Sequence, residues 1–360
     1  MINYSVKALE PGDSNQLLEL LKTRENINEH DAEVRTQLQE WIAFHNPFQQ
    51  NEETTYYVVQ DKDKIIAFHG RMPVKFNFKG ACVNGYYVHD LYVHPDFRKK
   101  GQGFWLTMSL AKAIEKDTRD PFCLLGMTPL NLEMQRRRGY YETEVDGYHK
   151  LTDPLKQVTR VFKNRTLSKL LNVPVKLTLA FIDYLLGAIY KSEIEVGILD
   201  RFDQRTDDLF TRVKSKIGIS TCKQSDYLNW KYIDRPHSRE TVLVSTLDNQ
   251  TTGFMVISLS PYPDAYARGF IIDLLVDPDD KKSLHALLIS AIKFFRNSNV
   301  YSIHCLLSDQ RYVQEFKKFL FTRKIGKKML LGNCENQSDY KSISNWHMTL
   351  GESDAFMLNT

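Results

Sequence analysis

Cysteine is scarce in this chain: five occur in 360 residues, at positions 82, 123, 222, 305 and 334. They show no metal-type spacing, so no metal centre is indicated, and no paired disulfide framework is expected. The N-terminus, Met1 to Lys7, lacks the apolar core of a secretory signal,. Together these absences lead us to expect a reducing, cytoplasmic setting. Excess charge is also lacking. Lys and Arg number 48 against 44 Asp and Glu, a net charge of +4. That suits an anionic cofactor or substrate but falls short of a nucleic-acid footprint, so no nucleic-acid partner is expected. Long uninterrupted apolar runs are missing too. Lys176 and Asp183 interrupt the most apolar stretch, and a membrane-spanning helix is not expected. What remains is 42% hydrophobic and 26% charged residues, a globular profile with enough chain for two domains.

The stretch Asp90-Leu-Tyr-Val-His-Pro-Asp-Phe-Arg-Lys-Lys-Gly-Gln-Gly-Phe-Trp105 carries the most chemistry. Tyr86 to Val93 is aromatic and β-branched and reads as a strand, which Pro95 ends. Gly101 and Gly103 then bracket a turn beside Arg98, Lys99 and Lys100. Apolar residues from Phe104 to Ile114 fit a largely buried helix. A strand feeding a Gly-rich turn at a helix N-terminus aims several N–H donors and a positive dipole end at one point. That is a place for a phosphate or pyrophosphate. A dinucleotide fingerprint is not matched, because position 106 is Leu,.

The string Val93-x-Pro95-x-x-Arg98-x-x-Gly101-x-Gly103 resembles the acetyl-CoA motif of the GCN5-related N-acetyltransferase (GNAT) superfamily. The resemblance implies that backbone amides of Arg98, Lys99, Lys100, Gly101, Gln102, Gly103 and Phe104 hold the CoA pyrophosphate. It also implies that Leu91, Tyr92 and Val93 pair with the pantetheine arm at a splayed strand edge. Some members place a catalytic glutamate and an aspartate where this chain has His89 and Asp90, which makes these two the catalytic candidates. Histidine titrates near neutral pH and can serve as a base. Neighbours on a strand point to opposite faces, so only one of the pair is expected to reach the acceptor. The tyrosine acid of many members falls at Gln135 here; Tyr140, Tyr141 and Tyr148 are the alternatives. Arg136-Arg137-Arg138 is read by default as a solvated face, with the 3′-phosphate of CoA as the functional option.

Along the chain, a first strand is expected within 2–9, a helix to Thr23 and a second from Asp31 to Phe44. Strands follow at Thr54–Gln60, Lys64–Met72 and Val74–Phe78, then the motif, a strand at Phe122–Met127 and a helix at Leu130–Arg138. Gly139-Tyr140-Tyr141 opens a last strand pair. The order β-α-α-β-β-β-α-β-α-β is the one the GNAT resemblance requires. The second half echoes the first. Trp41 to Pro47 is answered by Trp230 to Pro236, and Asp90-Leu-Tyr-Val-His-Pro95 by Asp273-Leu-Leu-Val-Asp-Pro278. Landmarks repeated in one order argue for duplication. After Pro278 the turn has no glycine and carries Asp279 and Asp280, so the second copy is not expected to bind CoA.

Between the copies, 155–182 holds Lys156, Arg160, Lys163, Arg165, Lys169 and Lys176 and no acid. Pro174 is expected to divide this segment into two helical pieces. It reads as an interdomain helical hairpin, with peripheral membrane contact through 155–190 as the functional option.

The expectation is therefore an α/β protein with an α+β mixed sheet. It comprises a GNAT-like domain at 1–153, a basic amphipathic helical connector at 154–195 and a degenerate GNAT-like domain at 196–360. The implied reaction is acetyl transfer from acetyl-CoA to a primary amine of a small molecule, an amino sugar being one candidate, by direct attack in a ternary complex without a metal. Two alternatives stand beside it. One is a peptidoglycan-type aminoacyl transferase using aminoacyl-tRNA; the other is a non-catalytic CoA-binding sensor. Trp346 to Asp354, polar and aromatic, is a candidate to complete an acceptor pocket.

Overall fold

The computed structural model describes residues 5–25, 27–50, 53–118, 120–125, 129–260, 267–332 and 338–352. The first half runs β1 (Val6–Ala8), α1 (Ser14–Lys22), α2 (Glu29–Phe44), β2 (Tyr56–Asp61), β3 (Lys64–Phe78), β4 (Ala81–Val93), α3 (Gln102–Asp117), β5 (Phe122–Leu125), α4 (Pro129–Arg136) and β6 (Tyr141–Leu151). Helices α5 (Leu155–Phe162) and α6 (Arg165–Ile189) link it to the second half. There follow β7 (Glu195–Leu199), α7 (Gln204–Val213), β8 (Ser220–Thr221), α8 (Ser225–Leu228), β9 (Thr241–Leu247), β10 (Gln250–Leu259), β11 (Arg268–Val276), α9 (Lys281–Asn297), β12 (Ser302–Leu306), α10 (Gln310–Lys318) and β13 (Thr322–Gly332). Apart from β8, the order of elements in the second half repeats that of the first.

All strands join one mixed sheet in the order β1-β2-β3-β4-β5-β13-β6-β12-β11-β10-β9-β7, with β8 pairing β3. The halves meet through exchanged strands. Gly139-Tyr140-Tyr141 was expected to open a strand pair; Tyr141–Leu151 forms the single strand β6, which pairs β13 and β12 of the second half. Strand β13 in turn pairs β5 of the first half, Met329 to Leu125 through Gly332 to Phe122. Alternation explains why both sides accept the exchange. Met329 and Leu331 enter the core beneath α1 and α2, while Leu330 enters the core beneath α3.

Strand β3 continues through Pro73, where a break was expected. Pairing with β2 ends at Gly70, and the Pro73 carbonyl on that side accepts from Asn46 Nδ2 at 2.9 Å. The missing N–H of Pro73 therefore falls where no strand needs it. Pro174 lies inside α6 without ending it. It is exposed, so the carbonyl it leaves unpaired is on the solvent side. The helical break comes instead at Lys163, left-handed at φ 51°, followed by Asn164 capping the N–H groups of Thr166 and Leu167. A disulfide joins Cys82 and Cys222, 140 residues apart, where no pairing was expected. Strand β8 and the start of β4 pair the same end of β3, Phe76 meeting both Thr221 and Val83, and this brings the two cysteines near each other.

The exchange makes each half depend on the other. Residues 1–153 expressed alone would lose Met329, Leu330 and Leu331 from two cores, roughly 6 kcal/mol of apolar burial and comparable to the net stability of a domain. We expect this fragment to lack a cooperative unfolding transition by circular dichroism, and co-expression with 154–360 to restore it. A sharp melt from 1–153 alone would contradict the interdependence.

Candidate active site

The site is organised by an irregularity in β4. Phe68 pairs Tyr92 and Gly70 pairs His89, so His69 alone faces both Asp90 and Leu91. This is a β-bulge. Asp90 takes a left-handed backbone, φ 50°, which costs a non-glycine residue about 1–2 kcal/mol. The bulge also breaks the expected alternation: His89 and Asp90 both face the α1–α2 side. The His89 ring meets Tyr56 edge-on at 5.2 Å. A Cβ on the opposing Gly70 would lie 2.6 Å from that ring, so only glycine fits there.

Asp90 is held by α2. Its carboxylate accepts from Arg35 at 2.9 Å and from Gln39 Nε2, with Arg24 at 3.8 Å. Burial pushes its pKa up, but Arg35, His89 and Gln39 outweigh that, and the net direction is down. A buried, charge-assisted clamp of this kind fixes the strained backbone. Arg24 also packs over the Tyr92 ring at 5.6 Å and Arg98 does so at 4.9 Å. Two guanidinium groups thus flank the one carboxylate and a third stands over the neighbouring Tyr92 ring, leaving positive charge at the end of β4.

Beyond the bulge the sheet opens. Strand β4 pairs β5 only at Tyr86–Phe122 and Tyr87–Cys123. Leu124 and Leu125 pair with β13, and among the described residues Val88 to Val93 have no strand partner on that edge. The edge leads into a 3-10 turn, Pro95–Gly101, and then α3. Arg98 Nε donates to Val93 O at 2.8 Å and folds the turn back on the strand. Gly101 has φ 78° and no side chain to cap α3, and a Cβ on Gly103 would come 3.0 Å from Arg98 Cα. The amides at the start of α3 therefore point outward, uncapped by any side chain. Lys99, Phe104 and Trp105 stand exposed around them. The backbone of Lys100 lies in the same turn; its side chain is outside the described residues. Geometry of this kind fits an anion at the turn and an extended chain along β4.

The second half builds the same frame and closes it. A register shift near Asp273 repeats the bulge, and β11 pairs β12 only from Arg268 to Phe270. Here, however, the Asp280 side chain accepts from Ser283 N at 3.0 Å and caps α9, so the anion position is already filled by a carboxylate. Past Phe270, β11 is covered by the chain's own segment 346–352: Ile272 O accepts from Gly351 N at 2.7 Å, and His347 Nε2 lies 3.0 Å from Leu274 O. The segment expected to complete an acceptor pocket thus packs the junction of the halves as far as Glu352; Ser353 and Asp354 lie outside the described residues.

Residues 15–120 match the acetyltransferase (GNAT) family. The chain carries a GNAT domain. That domain is of an acyltransferase type. No curated protein matches it in sequence. Solved structures share the fold over nearly the whole chain. Saccharomyces cerevisiae N-myristoyltransferase with bound myristoyl-CoA is 12% identical, with TM-score 0.57 over 92% of this chain and 83% of its own. A GCN5-related N-acetyltransferase from Anabaena variabilis is 11% identical, with TM-score 0.60 over 91% and 72%. A putative acetyltransferase from Pyrococcus horikoshii is 9% identical, with TM-score 0.54 over 96% and 94%.

Within the GNAT domain, the structure gathers Leu91, Tyr92, Val93 and the 98–104 turn into one continuous edge. Each arginine of 136–138 is ion-paired: Arg136 with Glu142, Arg137 with Glu133 and Arg138 with Glu115. Of the tyrosine alternatives, Tyr140 donates to Glu115, Tyr141 is exposed and Tyr148 is buried in the second-half core. Sequence reasoning missed Arg24, Arg35, Gln39 and His69, which no motif marks. His69 Nδ1 lies 2.8 Å from His89 O. A carbonyl only accepts, so Nδ1 carries the proton and Nε2 the lone pair. Burial lowers the His69 pKa to about 4, which keeps the ring neutral.

Two outcomes are expected. Gly101→Glu places a carboxylate in open space at the turn, so the fold should survive while CoA affinity by calorimetry falls at least about a hundredfold. Lys281→Glu, at the exposed start of α9, should leave affinity unchanged; equal loss from both would refute the asymmetry. The second outcome concerns pH. Unfolded, His69 titrates near 6.5; folded, near 4. The unfolded state binds the proton more readily, so stability falls as pH drops from about 6.5 to 4, by about 3 kcal/mol from this residue. Urea melts of His69→Gln should show a shallower acid slope; an unchanged slope would contradict the burial argument.

Proposed function

We propose that this protein transfers an acetyl group from acetyl-CoA to a primary amine of a small molecule, by direct attack in a ternary complex. One observation carries the reading: an open β4 edge leads into an uncapped helix N-terminus in the first half, while the second half has both features filled. Residues 98–104 would hold the pyrophosphate, and the β4 edge from Leu91 to Val93 the pantetheine arm. The excess positive charge from Arg24, Arg35 and Arg98 suits an acceptor that carries a negative group, as an amino-sugar phosphate or uronate would.

In this reading the bulge does the electrostatic work. It frees backbone N–H groups of β4 from the ladder, where they can face the charge that develops on the carbonyl oxygen. Asp90 and His69 are positioning residues: Asp90 ties the bulge to α2, and His69 ties the bulge carbonyl to β3. His89, on the α1–α2 face, is the base that takes the amine proton, and the thiolate leaves with a proton from water. The 196–360 half acts as a degenerate GNAT-like domain that holds β5 in place.

The test is steady-state release of CoA thiol with a panel of amines, amino sugars included. We expect turnover with at least one amine, abolished by Gly101→Glu. His89→Ala should cost about a hundredfold or more in kcat, with CoA affinity kept. Tight CoA binding without turnover on any amine would favour the sensor reading instead.

A further inference from the structure

Helix α6 is inside out. The positions turned toward the protein are Ser168, Asn172, Lys176, Leu179, Asp183, Leu186 and Tyr190, spaced three or four apart and largely polar. Asn172 and Lys176 bond Asp153 at 2.8 and 2.9 Å. Asp183 bonds Lys150 at 2.7 Å and Arg296 Nε at 2.7 Å. The outward positions are apolar. Leu170, Val173, Leu177, Phe181, Tyr184 and Ile189 are each 56–72% exposed. A helix on a water-facing surface has the opposite arrangement, and an apolar face of this length marks a surface that something covers. On α5, Val161 and Phe162 extend the same character, 72% and 47% exposed.

We propose that the α5–α6 hairpin is a monotopic membrane-docking element that lies flat in the interface of an anionic bilayer. Charge selects this occupant. Arg160, Lys163 and Lys169 are exposed around the tip of the hairpin and Lys156 on the first turn of α5, and 155–182 contains no acid. Pairing with a second copy of the chain through this hairpin would bring like charges together, whereas anionic headgroups neutralise them and the apolar face enters the acyl boundary.

By length and composition alone, Thr166–Ile189 is long and apolar enough to cross a membrane. Its attachments decide against crossing. A hydrogen bond from Asn172 and ion pairs from Lys176 and Asp183 fasten it lengthwise to the protein, and Tyr190 packs on His285 at 4.5 Å and Phe319 at 5.3 Å. A transverse orientation would break these bonds or draw them into hydrocarbon. Lying flat, the helix presents about 36 Å of apolar face. A groove of about 790 Å³ between α6 and α9, lined by Ala180, Tyr184, Gly187 and Ile289 with Lys293 at hand, continues that face.

The experiment is co-sedimentation of the full chain with vesicles of phosphatidylcholine alone or with about 30% phosphatidylglycerol. We expect binding to the anionic vesicles, at least about tenfold weaker to the neutral ones, and weakened by about 0.5 M salt. Leu177→Glu with Phe181→Glu should lose at least about tenfold in vesicle affinity. Both sites are exposed, so melting temperature and CoA affinity should be kept. Lys163→Glu with Lys169→Glu should reduce the preference for anionic vesicles. No sedimentation of the wild type with anionic vesicles would overturn the proposal. So would a double-Glu variant that binds as the wild type does, or a stable dimer in solution that shields the hairpin and persists with vesicles.

Discussion

Strand β5 can leave β4 only because something else holds it. That partner is β13, from the far end of the chain. If β5 paired β4 along its whole length, the β4 edge would be satisfied by a neighbouring strand and no extended ligand could add to it. The open edge is thus the local expression of a long-range pairing. The same logic runs in reverse on the other side, where β6 holds β12 and β11 is likewise released from its neighbour.

What the two halves do with their open edges differs, and the difference is chemical rather than architectural. In the first half, Gly101 offers no cap and Gly103 lets the helix start close against Arg98. In the second, Asp280 supplies both a cap and a negative charge. An anion site and a self-capped helix are alternative uses of the same unsatisfied N–H groups. The second edge is then covered by 346–352, which turns a former cleft into a seam.

That seam is unusually polar for an interior. Lys223 bonds Asp273 at 2.7 Å and Glu352 at 2.6 Å, and Glu352 also accepts from Tyr87 at 2.8 Å and from Thr221. Burial works against the Glu352 charge, but Lys223 and Lys231 hold its pKa low. Such a network adds little net stability against an apolar seam of equal volume, but it tolerates few alternative arrangements. Because Tyr87 lies on β4 and Glu352 on the closing segment, the network ties the registration of the second half to the strand that carries the site.

The sequence by itself determined the motif and its surroundings. The Arg98 to Phe104 turn, the strand before it, the helix after it and the absence of glycine after Pro278 all depend on residues within a few positions of one another, and local rules govern them. The repeated landmarks, Asp90 to Pro95 and Asp273 to Pro278, were legible for the same reason. Tertiary structure alone decided the rest. The bulge at Asp90 overrode the two-residue alternation, because Arg35 and Gln39, more than fifty residues upstream, anchor its carboxylate. The Cys82–Cys222 pairing, the role of His69, the strand exchange and the outward turn of the α6 leucines all join residues whose distance in sequence leaves no periodic trace. Short-range patterning fixes what each segment is; which edge or face it meets depends on partners that only the folded chain brings near.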